Sequence, residues 1–372
     1  LYFHTLRYLK LTQFKYRIYY FIRNKLRSKT SFSYKIKTLP TSFPNLKLEK
    51  SLPATKSIQY RNNIFSFLNL QKKFENSINW NDDTHGKLWT YNLNYFEFLH
   101  TSTITKEEGK ALILDFVNKI GSSKDGLEPY PISLRAIHWI KFLTYHNIKN
   151  EEIDASLYQQ LWILVDKREY HILGNHLLEN GFGLLFGAYY FKDEALYELA
   201  KKILVPELKE QILGDGAHFE LSPMYHQLML YRVLDCYNLI KNNAHFEQEL
   251  AAFFKEKAEK MLGWLENITF QNGDIPLLND SAFFINPTTK EILNYAQQLN
   301  LLSKKTPLKE SGYRKTTQKN YELIADIGHI GPDYLPGHAH SDTFNFVLNV
   351  NNEPFIVDTG ISTYNPTQRR QL

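Results

Sequence analysis

Cysteine is almost missing: Cys236 is the one thiol in 372 residues, which excludes a disulfide framework and any multi-cysteine zinc or iron–sulfur site. Glycine (17) and proline (14) are too sparse for a fibrous or low-complexity chain. No run of 18 apolar residues occurs, so no segment reads as a membrane-spanning helix; the best stretch, 177–191, is interrupted by Glu179, Asn180 and three glycines. Acidic residues are absent from the first 48 positions, which hold eleven Lys and Arg before the first acid, Glu49. The net charge of +5 therefore conceals a basic start of +11 and a body of −6, a distribution that argues against a nucleic-acid binder.

What is present suits a globular protein with two domains. Hydrophobic residues (43%) and charged residues (22%) permit a sizeable core and exclude wholesale disorder. Aromatics are abundant, with 24 Tyr and 25 Phe, and serve either as core or as surfaces on which sugars stack. The first residue is Leu rather than Met, so we expect the natural start to lie upstream; no charged segment followed by an uninterrupted apolar one marks a signal peptide.

Residues 1–30 read as a basic aromatic helix, with Leu6, Leu9, Phe14, Ile18, Phe21 and Ile22 among Arg7, Lys10, Lys15, Arg17 and Arg23. Such a helix either makes peripheral contact with an anionic membrane surface or covers the main domain with its Lys and Arg outward. Residues 38–60 read as a linker. From 61 to 305 helical spacing dominates, in 106–120, 133–145, 152–165, 177–190, 193–202, 223–241, 246–267 and 289–302. Short loops between them suggest a bundle, a solenoid or helical hairpins closed into a toroid. After 310 the period becomes two: 321–328, 343–350 and 354–358 read as strands around a turn at Asn351-Asn352-Glu353. So few strands are marginal alone, and we expect the β-region to be cut short at Leu372.

Three segments hold chemistry. In Gly174-Asn175-His176-Leu177-Leu178-Glu179-Asn180, Asn175 stands where a helix begins, as an N-cap, and His176 in the first turn, where the helix dipole favours the neutral base. The glycines at 181, 183 and 187 permit close helix packing. In Asp215 to His226, Ser222-Pro223 is a helix start that puts Tyr225 at the helix mouth, as core or as a proton carrier if a cation favours its phenolate. In Gly337-His338-Ala339-His340-Ser341-Asp342, a strand would set both imidazoles on one face, and the Asn351 turn brings Asp358 near His340. That pairing is either a solvated edge or part of a zinc site that needs a third ligand.

These segments, in this order, resemble the heparinase II/III-like polysaccharide lyases. A branch encoded with bacterial surface-polysaccharide genes is similar also at Thr5-Leu6-Arg7-Tyr8-Leu9-Lys10, Trp89-Thr90-Tyr91-Asn92-Leu93-Asn94-Tyr95, Glu128-Pro129-Tyr130-Pro131 through Arg135, and Pro276-Leu277-Leu278-Asn279-Asp280-Ser281. The resemblance implies a multi-domain α+β fold: a basic extension (1–45), an (α/α) toroid (46–308) and the opening of an antiparallel β-sandwich (309–372). It implies β-elimination on a uronic-acid-containing, acidic polysaccharide. Asn175 would neutralise the uronate carboxylate and His176 would act as base or support. Tyr225 would protonate the leaving oxygen, and in some relatives also act as base; His338 would assist at the same centre. Trp89, Tyr91, Asn92, Tyr95, Arg135 and Glu179 would line the substrate groove. His340 and Asp358 would hold a structural Zn²⁺, with the third ligand, and a second catalytic Tyr, beyond Leu372. Localisation would be periplasmic, or cytoplasmic since no signal peptide is visible; nothing speaks to oligomeric state. Two other readings stand beside it: a glycoside hydrolase using two of Glu179, Asp215 and Glu220, and a non-catalytic glycan-binding protein.

Overall fold

The computed structural model describes residues 7–30, 32–40, 45–340 and 344–360. Thr5 and Leu6 of the N-terminal motif, and Ser341 and Asp342 of the histidine segment, lie outside the described residues. The chain divides into two compact units, Leu1–Leu208 with Asp235–Ala251 and Lys209–Leu234 with Ala252–Leu372.

Helices form where the spacing predicts them, and local chemistry sets their ends. In chain order they are α1 (Leu11–Ser28), α2 (Lys87–Tyr95), α3 (Lys106–Lys119), α4 (Pro129–Tyr145), α5 (Glu151–Lys167), α6 (Gly174–Phe191), α7 (Glu194–Gln211), α8 (Pro223–Asn242), α9 (Glu249–Ile268) and α10 (Thr289–Gln298). Thr105 and Asn150 cap α3 and α5 by accepting from Glu108 N and Ile153 N, and Thr288 with Glu291 forms a capping box on α10. Pro opens α4 and α8, where its missing N–H costs nothing.

In the first unit α4 packs along α6, and both are buried almost throughout. The packing is close because α6 carries glycine at the crossing: a Cβ on Gly183 would stand 2.8 Å from Ser133 Cα. Phe65, Phe67, Trp80, Trp89, Phe96, Phe98, Phe116 and Trp139 fill the core beside them. A buried polar cluster lies within it: Lys141 Nζ is 2.7 Å from Asp235 Oδ2, and Ser51 Oγ donates to Asp235 Oδ1 at 2.7 Å. The helical reading of 61–305 is corrected at its start. Strands β1 (Gln59–Arg61), β2 (Ile64–Phe67) and β3 (Leu70–Lys73) form a three-stranded antiparallel sheet with Tyr60 opposite Phe65 and Phe65 opposite Lys72. Its turns use Asn62-Asn63 and Leu68-Asn69, all at positive φ. The expected linker is also fastened from residue 46 on: Leu46 and Ser51 are buried, and Lys47 N and Glu49 N donate to Asn243 and Asn238 side chains.

α1 lies on this unit with its arginines inward, against the reading that turned all Lys and Arg outward. Arg23 and Arg27 pair with Asp166, Tyr16 stacks on Tyr170 at 4.6 Å, and Gln13 Nε2 donates to Ile172 O.

The second unit carries a four-stranded antiparallel meander, β4 (Tyr313–Thr317), β5 (Tyr321–Asp326), β6 (Asn345–Val350) and β7 (Glu353–Ile356). Leu323 faces Leu348 across β5 and β6, and the Asn351-Asn352 turn has both residues at positive φ. Asp215 Oδ2 accepts from Lys309 N, Ser311 N and Ser311 Oγ, anchoring the approach to β4. Gly216 has φ +95°, and a Cβ there would meet Lys260 O at 2.2 Å.

Candidate active site

Ser222 ends an extended turn and caps α8: its Oγ accepts from Tyr225 N at 3.2 Å and donates to Asp280 O at 2.7 Å. Tyr225 therefore stands at the third position of α8, at the helix mouth as its sequence predicts. Its ring stacks on His338, with centroids 3.6 Å apart and planes 30° apart. The histidine segment is a loop and not the strand expected of it. Residues 331–337 include Gly331, Pro332, Pro336 and Gly337, which keep the chain out of a ladder.

His338 lies between two acids. Its Nδ1 is 2.9 Å from Asp280 Oδ2 and its Nε2 is 3.5 Å from Glu220 Oε2. Asp280 N also donates to His338 O at 3.0 Å, so Asp280 holds both backbone and ring. Each ring nitrogen of His338 thus faces a carboxylate oxygen, while the ring face lies on Tyr225. Behind this cluster His218 N donates to His226 Nδ1, and His226 Nε2 donates to Met261 O. Burial pushes His218 well below the ordinary histidine range and His226 down to about 3, so both are neutral scaffolding.

Asn279 precedes Asp280 at φ +56° and holds the next turn of the loop: its Oδ1 accepts from His340 N and its Nδ2 donates to Asp326 Oδ2. His340 Nδ1 is 3.9 Å from Asp358 Oδ1, too far for a hydrogen bond. His340 and Asp358 would be the residues that hold a structural zinc, which takes imidazole nitrogen and carboxylate oxygen. His340 Nε2 is buried without a hydrogen-bond partner, and Asn345 Nδ2 donates to Asp358 Oδ2. The donor types fit zinc, while among the described residues no group of three His, Cys, Asp or Glu stands together.

The first unit holds the other predicted residues. Asn175 is the second residue of α6 and buried; the cap position belongs to Leu173, at φ +69°, which corrects the N-cap reading. His176 follows in the first turn, half-exposed, with Nδ1 3.0 Å from Glu169 Oε1. Glu169 is buried and its Oε2 accepts from Asn180 Nδ2 at 2.9 Å, which fixes the imidazole's orientation. A row of half-exposed aromatic rings leads to this histidine: Tyr91 to Tyr95 (6.3 Å), Tyr95 to Tyr130 (5.9 Å) and Tyr130 to His176 (4.8 Å). Burial pushes the Tyr91 phenol up to about 12, so it remains a neutral donor to Glu128. Asn92 is half-exposed and returns its amide to Leu88 O. Glu179 is fully buried.

Glu179, Trp89 and Arg135, all assigned to the groove, are fully buried. Trp89 is fully buried and its Nε1 donates to Leu70 O. Arg135 is fully buried, donates to Gln160 Oε1, Asn94 O and Gly126 O, and is lowered to about 9 by that burial. It fastens loops together and presents no guanidinium to a groove.

Comparison with known proteins agrees with this arrangement of helices followed by an antiparallel sheet. Residues 133–309 match the Heparinase II/III N-terminus and residues 301–372 the Heparinase II/III-like, C-terminal region. The chain belongs to the heparinase II/III-like family. A heparin-sulfate lyase from Pedobacter heparinus is 31% identical over 112 residues, 29% of this chain and 17% of that protein. A crystal structure of heparinase III matches with TM-score 0.60 at 17% identity, covering 97% of this chain and 67% of that one. Another heparinase III gene product matches with TM-score 0.55 at 16% identity, covering 80% and 56%. At these identities the structures show the fold, a multi-domain α+β arrangement of (α/α)-toroid helices and an antiparallel β-domain. The chain spans less than a fifth of the curated relative and about half of the second structure.

Proposed function

We propose that the protein is a polysaccharide lyase that cleaves a uronic-acid-containing glycan by β-elimination, with heparin sulfate, the polymer in the name of its relative, as the first to try. The observation that carries this is Tyr225 stacked on His338 between Asp280 and Glu220. In the reaction the C5 proton leaves, a C4–C5 double bond forms, and the glycosidic C4–O bond breaks with protonation of the departing oxygen. Negative charge builds on the uronate carboxylate as the proton leaves and must be met by a fixed donor. Tyr225 supplies the proton to the leaving oxygen, and His338, steadied by Asp280, favours the phenolate that results. Asn175 is assigned to the carboxylate and His176, oriented by Glu169, to proton abstraction or its support. Tyr91, Tyr95 and Tyr130 give sugar faces a stacking surface. His340 and Asp358 would hold a structural zinc, which would fix the loop that carries His338.

Of the carboxylates the hydrolase reading would use, Glu179 is fully buried, and Asp215 is buried and accepts three hydrogen bonds from residues 309–311. The test is ultraviolet absorbance of unsaturated uronate released from acidic glycans. Tyr225→Phe is expected to lower kcat about a hundredfold or more, the scale of a lost general acid. Reducing ends without absorbing product would refute the lyase assignment.

A further inference from the structure

α1 is an amphipathic helix docked the wrong way round for a core. Gln13, Tyr16, Tyr20, Arg23 and Arg27 follow i, i+3, i+4 spacing and form the stripe held against the first unit. The opposite stripe runs Leu11, Lys15, Ile18, Ile22, Leu26 and Lys29 at the same spacing. Its apolar members, with Phe21 alongside, are between 52 and 87% exposed. A helix that fastens itself by its polar side and turns isoleucine and leucine to solvent leaves a contiguous apolar strip that a lone folded domain normally buries. Tyr8 and Tyr19 are exposed along its edge.

The charge around the strip says what covers it. Lys15, Lys25 and Lys29 are exposed on the outward half, and no acidic residue occurs in 1–48. Asp166 is engaged by Arg23 and Arg27 on the docked side. An apolar strip flanked by lysines alone, with tyrosines at its margin, matches the interface of an anionic bilayer: alkyl groups enter the acyl boundary while ammonium heads remain with the phosphates. Among the described residues no helix is long and apolar enough to cross a membrane; α1, held to the first unit along one stripe, offers the other stripe lengthwise. We infer that the outward face of α1 binds an anionic lipid bilayer and holds the protein there, parallel to the surface.

The test is co-sedimentation of the full chain with vesicles of phosphatidylcholine mixed with phosphatidylglycerol, against vesicles of phosphatidylcholine alone. Binding to the mixed vesicles is expected, with loss as salt rises. The double variant Ile18→Glu/Ile22→Glu should lower the partition coefficient about tenfold or more, and Lys15→Gln/Lys25→Gln/Lys29→Gln should weaken binding to the mixed vesicles alone. Both sets alter exposed positions, so circular dichroism and the melting midpoint should stay at the parent values. Leu302→Glu, at an exposed leucine outside α1, should bind as the parent does. Absence of sedimentation with the mixed vesicles, or full binding by the double glutamate variant, would overturn the inference. So would a concentration-dependent dimer that the glutamates abolish in a protein that ignores vesicles, because the occupant would then be a second copy.

Discussion

Replacing Lys141 by Met tests whether the buried charges of the first unit are a matched set. Lys141 and Asp235 are each 2% exposed and 2.7 Å apart, and Ser51 Oγ lies within 2.8 Å of Lys141 Nζ and 2.7 Å of Asp235 Oδ1. Removing one partner of a buried pair costs about 3–5 kcal/mol, because the other charge is left desolvated. Ser51 still donates to Asp235, and a hydrogen bond to a charged group offsets part of that loss, so Lys141→Met should destabilise by about 3 kcal/mol. With a urea slope near 3 kcal/mol per molar, the midpoint falls by about 1 M. Lys141→Met/Asp235→Leu removes both charges and should recover most of the stability. Urea unfolding of the full chain, followed by tryptophan fluorescence, measures both. A loss under about 1 kcal/mol for the single variant, or a double variant no better than the single, would show that these charges are not a desolvated pair.

Asp280→Asn keeps the shape beside His338 but removes a charged hydrogen bond of about 1.5–3 kcal/mol; kcat should fall about tenfold to a hundredfold with KM nearly unchanged, and unchanged steady-state rates would remove Asp280 from the machinery. His218 and His226 are depressed from 6.5 by burial, so the unfolded chain binds their protons more tightly. For His226 the contribution to stability is whole above about pH 6.5 and is lost as pH falls toward about 3, by up to about 1.4 kcal/mol per pH unit, and His218 acts in the same direction; urea midpoints equal at pH 7 and pH 5 would contradict this. Gly216→Ala combines a positive φ with a backbone collision and should cost about 2–3 kcal/mol, read as a lowered melting temperature.

The helices were legible because 3.6-residue spacing is local, and Ser222-Pro223 announces a start that the structure keeps; the caps at Thr105, Asn150 and Thr288 came from the structure. The sheet at 59–73 was not, because strands of three and four residues are too short to show a period, and the asparagines at its turns, Asn62-Asn63 and Asn69, are a weak signal without one. In the candidate site, Tyr225 and His338 were legible as residue types at a helix mouth and in a histidine pair. Their partners were not. Asp280 reaches His338 across 58 residues, and Glu169 reaches His176 across a helix start; neither contact leaves a trace in spacing. Trp89 and Arg135 show the converse, since an aromatic or a guanidinium within a motif gives no sign of whether it faces a groove or the interior.

Asn279 and Asp280 are adjacent, and they grip His340 and His338, which are two apart in a different segment. The two stretches therefore act like a ruler and its matching scale. One residue inserted in either would leave at most one histidine seated, so length is fixed here even where side-chain identity is free to drift. This pair of segments can change only together.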